Sequence, residues 1–307
     1  MRRTLGLLIL AVCLLTGCRK SPESTTEGRS AYYWSTTFQM SDAKRQFLKD
    51  HHVTRLYVRY FDVVPGEDGT AQPNATIWFN DSVPSGVEVI PTVYILNECM
   101  KKDEGDLAQK LVKRILQMNE THDVRGVKEI QIDCDWTAST EARFFAFLEE
   151  VRTALKPHNV GLSATIRLHQ LSGKVPPIDR GVLMMYNTGD LTQLDCEHPI
   201  LDMNDAKPFL PYLTDYQLPL SAAYPLYRWE LVFRGKAFIG IQHGDDLPTM
   251  PGDSIVVREP TLEEILDARH QLDEVRPGIN NEVILYELND YNINRFKSDD
   301  YEKILAH

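Results

Sequence analysis

Glu129-Ile-Gln-Ile-Asp-Cys-Asp-Trp136 carries more structural information than any other segment of this chain. Side chains alternate across an extended strand, so Ile130, Ile132 and Cys134 share one face while Gln131, Asp133 and Asp135 share the other. An apolar face opposite an acid-amide face suits a barrel strand, with the first packed beneath a helix and the second stacked in the lumen toward its mouth. Helical periodicity follows at once. Phe144, Phe147, Leu148, Val151 and Leu155 recur at the 3.6-residue spacing of one helix face, starting near Ser139.

The same strand-then-helix rhythm runs in both directions. Upstream, Tyr32–Phe38 reads as a strand, Ser41 as the cap of a helix over Asp42–His51, and Arg55–Val63 as a second strand followed by a polar loop, Gly66–Asn74. Val87–Leu96 is a nearly unbroken apolar run, as expected of a strand covered on both faces. Asp106 then opens a helix with Leu107, Leu111, Ile115 and Met118 inward. Downstream, Val160–Arg167 and Gly181–Tyr186 are strands, and Pro208 and Pro211 allow only broken helix over Asn204–Tyr216. Leu218–Tyr224 is a seventh strand. Trp229–Phe233 and Ala237–Ile241 form an inserted hairpin, Thr261-x-x-Glu264 is a capping box, and Val283–Leu288 is the eighth strand. The pattern predicts a TIM (β/α)8-like barrel with a β-hairpin insertion after strand seven. The rival, a doubly wound open sheet, lacks any glycine-rich phosphate loop.

Apolar residues at 43% and charged residues at 25% describe an ordinary globular protein. A net charge of −11 argues against nucleic acid as a partner. At the N-terminus, Arg2 and Arg3 precede the apolar run Leu5–Leu15, too short for an ordinary membrane span but suited to a secretory signal. Its ending, Leu15-Thr16-Gly17-Cys18, resembles the lipobox cut before a lipidated cysteine. Residues 1–17 then form a lipoprotein signal peptide, 18–30 a flexible tether and 31–307 a single barrel domain. Such a protein sits in the bacterial cell envelope, outside the cytoplasm, held at the outer membrane only through acyl chains on Cys18. Cys99, Cys134 and Cys196 remain, an odd number without metal-site spacing, and read as buried free thiols. No metal or other cofactor is implied.

Active sites of such barrels lie at the C-terminal ends of the strands. Asp133 and Asp135 are candidates for an acidic pair, one member holding its proton, and the alternative is a structural pair bonded to Arg59 or Arg167. Tyr186 and Asn187 end strand six, Glu287 ends strand eight, and Asp62 ends strand two. Gln131 shares the lumen face. Trp34, Trp136, Tyr224 and Trp229 offer flat faces on which a pyranose ring could stack, although aromatics of this kind are more often core.

Ile132-Asp-Cys-Asp-Trp136 and Met184-Met-Tyr-Asn187 resemble the Asp-x-Asp-x-Glu and Met-x-Tyr-Asp/Asn strands of family-18 glycoside hydrolases, the chitinase-like TIM barrels. Gln131-Ile-Asp-Cys-Asp135 and Leu162-Ser-Ala-Thr165 are also similar to an uncharacterised family of bacterial barrel lipoproteins, a domain of unknown function. The likeness spans Tyr32 to Leu288. It implies catalytic roles for Asp133, Asp135 and Tyr186; Glu287, from its place at the end of strand eight, is a further catalytic candidate, and Gln131, Trp136, Arg59, Asn187 and Trp229 are candidate contacts to a glycan. One departure matters: Thr137 stands where chitinases carry the acid glutamate, and threonine cannot protonate a glycosidic oxygen. Either another carboxylate (Asp135, Glu287, Asp62 or Glu98) supplies the proton, or the barrel binds a glycan without cutting it. A third reading makes the barrel an envelope scaffold.

Overall fold

The structure, a computed structural model, describes residues 21–22, 26–102, 105–242 and 247–306. The segment read as a signal peptide, and Cys18 with it, therefore lie outside the described residues. Eight parallel strands form the barrel: β1 (Gly28–Tyr33), β2 (Val53–Pro65), β3 (Glu88–Ile95), β4 (Glu129–Asp133), β5 (Gly161–Ile166), β6 (Arg180–Met184), β7 (Leu220–Pro225) and β8 (Glu282–Tyr286). Each pairs with the next, and β1 pairs with both β2 and β8, Ala31 lying opposite Leu56 on one side and Leu285 on the other. The ring is closed.

Helices cover it unevenly. α1 (Asp42–Asp50) follows β1 and is capped by the Ser41 hydroxyl, which accepts from the Lys44 amide. α2 (Leu107–Thr121) follows β3, and α3 (Glu141–Leu155) follows β4 with its five periodic residues buried as the spacing predicts. Only α4 (Met203–Ala206), α5 (Leu210–Leu213) and short 3-10 turns lie between β6 and β7, because Pro208 and Pro211 interrupt anything longer. α6 (Leu262–Val275) opens with the expected capping box of Thr261 and Glu264, and α7 (Ser298–Ile304) follows β8.

Four expectations change. The first strand starts at Gly28 rather than Tyr32, inside the segment read as a tether. β4 stops at Asp133, two residues early. The loop after β2 contains a strand, Ala71–Asn74, which turns back antiparallel on β2 and takes the place of a helix. The insertion after β7 is a three-stranded sheet, because Asp253–Arg258 pairs with Trp229–Arg234 on the side opposite Ala237–Gln242.

The barrel floor, at the N-terminal ends of the strands, is ionic. Glu282 is wholly buried and accepts from Ser30 Oγ at 2.7 Å, Arg55 Nη1 at 2.7 Å, Arg180 Nη1 at 2.8 Å and Ser221 Oγ at 2.9 Å. Arg180 Nε also donates to Glu129 Oε2 at 2.8 Å. Burial alone pushes the Glu282 carboxyl upward, but the guanidinium groups of Arg180 and Arg55 outweigh it and hold the group below the usual carboxylate range. Above the floor the lumen is filled by Tyr32, Tyr57, Ile90, Val182, Met184, Ala223 and Ile284, so the barrel is a packed core rather than a pore. Removing one partner of such a network strands a buried charge, at about 3–5 kcal/mol. Glu282→Ala should accordingly lose stability of that order in urea unfolding, and a loss below 1 kcal/mol, roughly that of an exposed ion pair, would contradict this account.

Candidate functional site

β4 delivers its polar face to the lumen. Gln131 Oε1 accepts from the Tyr32 hydroxyl at 2.7 Å. Above it, Asp133 Oδ1 accepts from Thr165 Oγ1 at 2.6 Å and Arg167 Nη2 at 2.9 Å, and the carboxylate is buried. Asp135 lies past the end of the strand, where alternation no longer governs direction. It is exposed, 3.3 Å from His169 Nε2, and therefore does not stack with Asp133 as a second buried acid. Of the two arginines proposed to pair with the acidic strand, Arg167 does so. Arg59 instead forms a two-pronged pair with Asp62 and lies over the Trp34 ring, 5.4 Å from its centroid.

The mouth is walled with aromatic rings. Tyr186, leaving β6, sits 4.7 Å between centroids from Tyr286, the last residue of β8. Tyr227 meets Tyr186 edge-on at 5.8 Å and reaches Trp229 at 5.5 Å. Tyr286 continues the wall to Trp34 at 5.8 Å. Asn187 adopts a left-handed φ of 57°, a conformation asparagine tolerates, and its side-chain oxygen accepts from the Tyr227 hydroxyl. Beside the wall lies a cavity of about 270 Å3, lined among others by Asp135, Arg167, His169, Tyr186, Asn187 and Phe209.

Two polar atoms in this region are buried without a partner: Arg167 Nη1 and Gln131 Nε2. Both are donors. Buried donors that the protein leaves unpaired carry a desolvation penalty that an oxygen acceptor would relieve. Reading from the sequence assigns Arg167 only a structural role; a cation at the end of the strand beside an acidic one was its available signal.

Glu287 follows Tyr286 across a cis peptide bond, is half-buried, and accepts from Asn289 Nδ2 at 3.0 Å. Burial raises its carboxyl above the usual range, against smaller opposing effects of Asn289 and Arg59. The Tyr186 hydroxyl is likewise pushed well up by burial.

Trp136 is not at the mouth. It is buried against Phe144, with ring centroids 4.8 Å apart, and belongs to the core beneath α3. Tyr224 is buried as well, donating to Asn280 Oδ1 at 2.7 Å. Thr137 is turned into the start of α3, where its amide donates to Thr140 Oγ1 at 3.0 Å and its hydroxyl meets Ser139. Trp229 does join the mouth, through Tyr227.

The chain has the fold of the chitinases. It superposes on a chitinase from Chromobacterium violaceum with a TM-score of 0.58 at 12% identity, over 92% of this chain and 100% of that one. A chitinase from Bacteroides thetaiotaomicron gives 0.57 at 12% identity, over 91% and 96%. The spore cortex-lytic enzyme SleL of Bacillus cereus gives 0.57 at 16% identity, over 91% of this chain and 74% of that one. No protein-family model matches the sequence, and no curated protein matches it.

A carboxyl raised by burial favours the folded state most below its ordinary value, near pH 4.5, and that advantage fades as pH rises through the raised value. Glu287→Gln should therefore be more stable than the parent at neutral pH, with the gap closing toward pH 4. Parallel melting curves across that range would refute the assignment if the gap is constant.

Proposed function

We propose that the barrel mouth binds a neutral glycan outside the cytoplasm, in a protein anchored to the envelope membrane through acyl chains on Cys18. The observation that carries this reading is the continuous aromatic wall from Trp34 through Tyr286, Tyr186 and Tyr227 to Trp229, set beside the unpaired Arg167 donor. Flat apolar rings complement the C–H faces of a pyranose, and a few placed donors orient its oxygens. Asp133 and Asp135 keep their counter-groups, Arg167 and His169, so the cavity does not offer an unopposed cation to an anionic ligand. The chitinase fold agrees with a carbohydrate ligand, and the Leu-Thr-Gly-Cys18 ending supports the anchor.

Thr137 favours binding over cleavage. Its position holds no acid, and its side chain serves the start of α3. One observation supports a second reading, a glycosidase: Glu287, whose carboxyl burial raises above the usual range at the same mouth, could donate the proton that Thr137 cannot.

A glycan array probed with the chain from Ser21 onward, with reducing ends assayed in parallel, separates these readings. Retention of a neutral oligosaccharide without new reducing ends is the expected result, with at least tenfold weaker binding for Trp229→Ala and Arg167→Met, or about 1.4 kcal/mol. Release of reducing ends that Glu287→Gln abolishes and Asp135→Ala does not would establish the glycosidase. A folded protein that retains no glycan would overturn both and leave the envelope-scaffold reading.

A further inference from the structure

The described N-terminal residues are docked. Arg276, buried between α6 and β8, donates from Nη2 to the Pro22 carbonyl at 3.0 Å and from Nη1 to the carbonyls of Leu213 and Tyr216 at 3.0 and 2.9 Å. Its Nη2 also serves the Leu218 carbonyl. Ser21 Oγ reaches the carbonyls of Leu213 and Thr214. All of these partners precede β7 or β8 in the chain, so Ser21 and Pro22 lie against the N-terminal face of the barrel, on the side of the ionic floor and opposite the mouth.

Only three peptide steps separate Cys18 from Ser21, a reach of at most about 11 Å. The strands between floor and mouth rise about 3.3 Å per residue, so β7 alone sets the two ends roughly 17 Å apart before any loop is added.

We propose that the short step from Cys18 to the docked Ser21–Pro22 stands the barrel upright on a lipid surface, its floor toward the headgroups and its mouth turned away. The proposal rests on the reading of Cys18 as a lipid anchor. It assigns the N-terminal face as a membrane-apposed surface and directs the glycan site toward ligands that do not belong to the anchoring leaflet.

The test uses the full chain recovered with membranes and reconstituted into phosphatidylcholine vesicles carrying a headgroup-linked acceptor dye. In a Cys196→Ser background, a donor dye is placed on Lys156→Cys at the floor side or on Ala138→Cys at the mouth side. Palmitate incorporation is measured on the same preparations. Energy transfer should be several-fold more efficient from position 156 than from 138. Ten Gly/Ser residues inserted after Lys20 should bring the two toward equality, because such a linker adds roughly 17 Å of flexible reach. Arg276→Ala should do the same wherever its melting curve shows a folded barrel. Equal transfer from both positions in palmitate-labelled parent protein overturns the orientation and leaves the anchor standing. Absence of palmitate overturns the anchor and the proposal with it.

Discussion

The buried carboxylate of Glu282 is the constraint around which the lower half of the barrel is arranged. It binds side chains from β1, β2, β6 and β7 while itself belonging to β8. Arg180 extends the network to Glu129 on β4, and Ser163 on β5 donates to the same glutamate. Seven of the eight strands are thereby cross-linked to one another through Arg180, Glu282 or Glu129 in addition to their backbone ladders. A charge network of this kind is weak evidence for net stability against an apolar core, but it fixes register, since a strand shifted by one residue would point its charge outward. The aromatic layer above can then be packed without polar partners of its own, except where Tyr32 finds Gln131 and Tyr57 finds Glu282.

Above that layer the chemistry changes character. The floor satisfies its charges, whereas the mouth leaves Arg167 Nη1 and Gln131 Nε2 without acceptors and holds Glu287 in a setting that favours the neutral acid. Local departures from full satisfaction are where binding sites are expected. Thr137 stands just beyond β4, where the resemblance to the chitinase-like barrels implies an acid glutamate.

Most of the architecture was legible because it rests on local periodicity. The alternation in Glu129–Asp133 and the 3.6-residue spacing in α3 each reflect a single element packing against a single layer. What could not be read depends on where an element stops. Asp135 and Trp136 continue the alternation on paper, but β4 has ended, so one is exposed to solvent and the other folds back beneath α3. The Arg180–Glu282 pair spans 102 residues and has no local signature. Asp253–Arg258 was a missed signal of another kind, since Ile255, Val256 and Val257 form a β-branched run that could have been taken as a strand.

That third strand gives the insertion a property the barrel does not have. A closed ring exposes no unpaired backbone, whereas the inserted sheet ends on Ala237–Gln242 at one side and Asp253–Arg258 at the other. On the latter strand Ile255 and Val257 are 51% and 46% exposed, beside amide and carbonyl groups that no second strand takes up among the described residues. Edges of this composition are templates for strand addition between molecules. Self-association of this protein at high concentration would thus begin at the insertion, and a charged residue at position 255 or 257 is the economical way to suppress it.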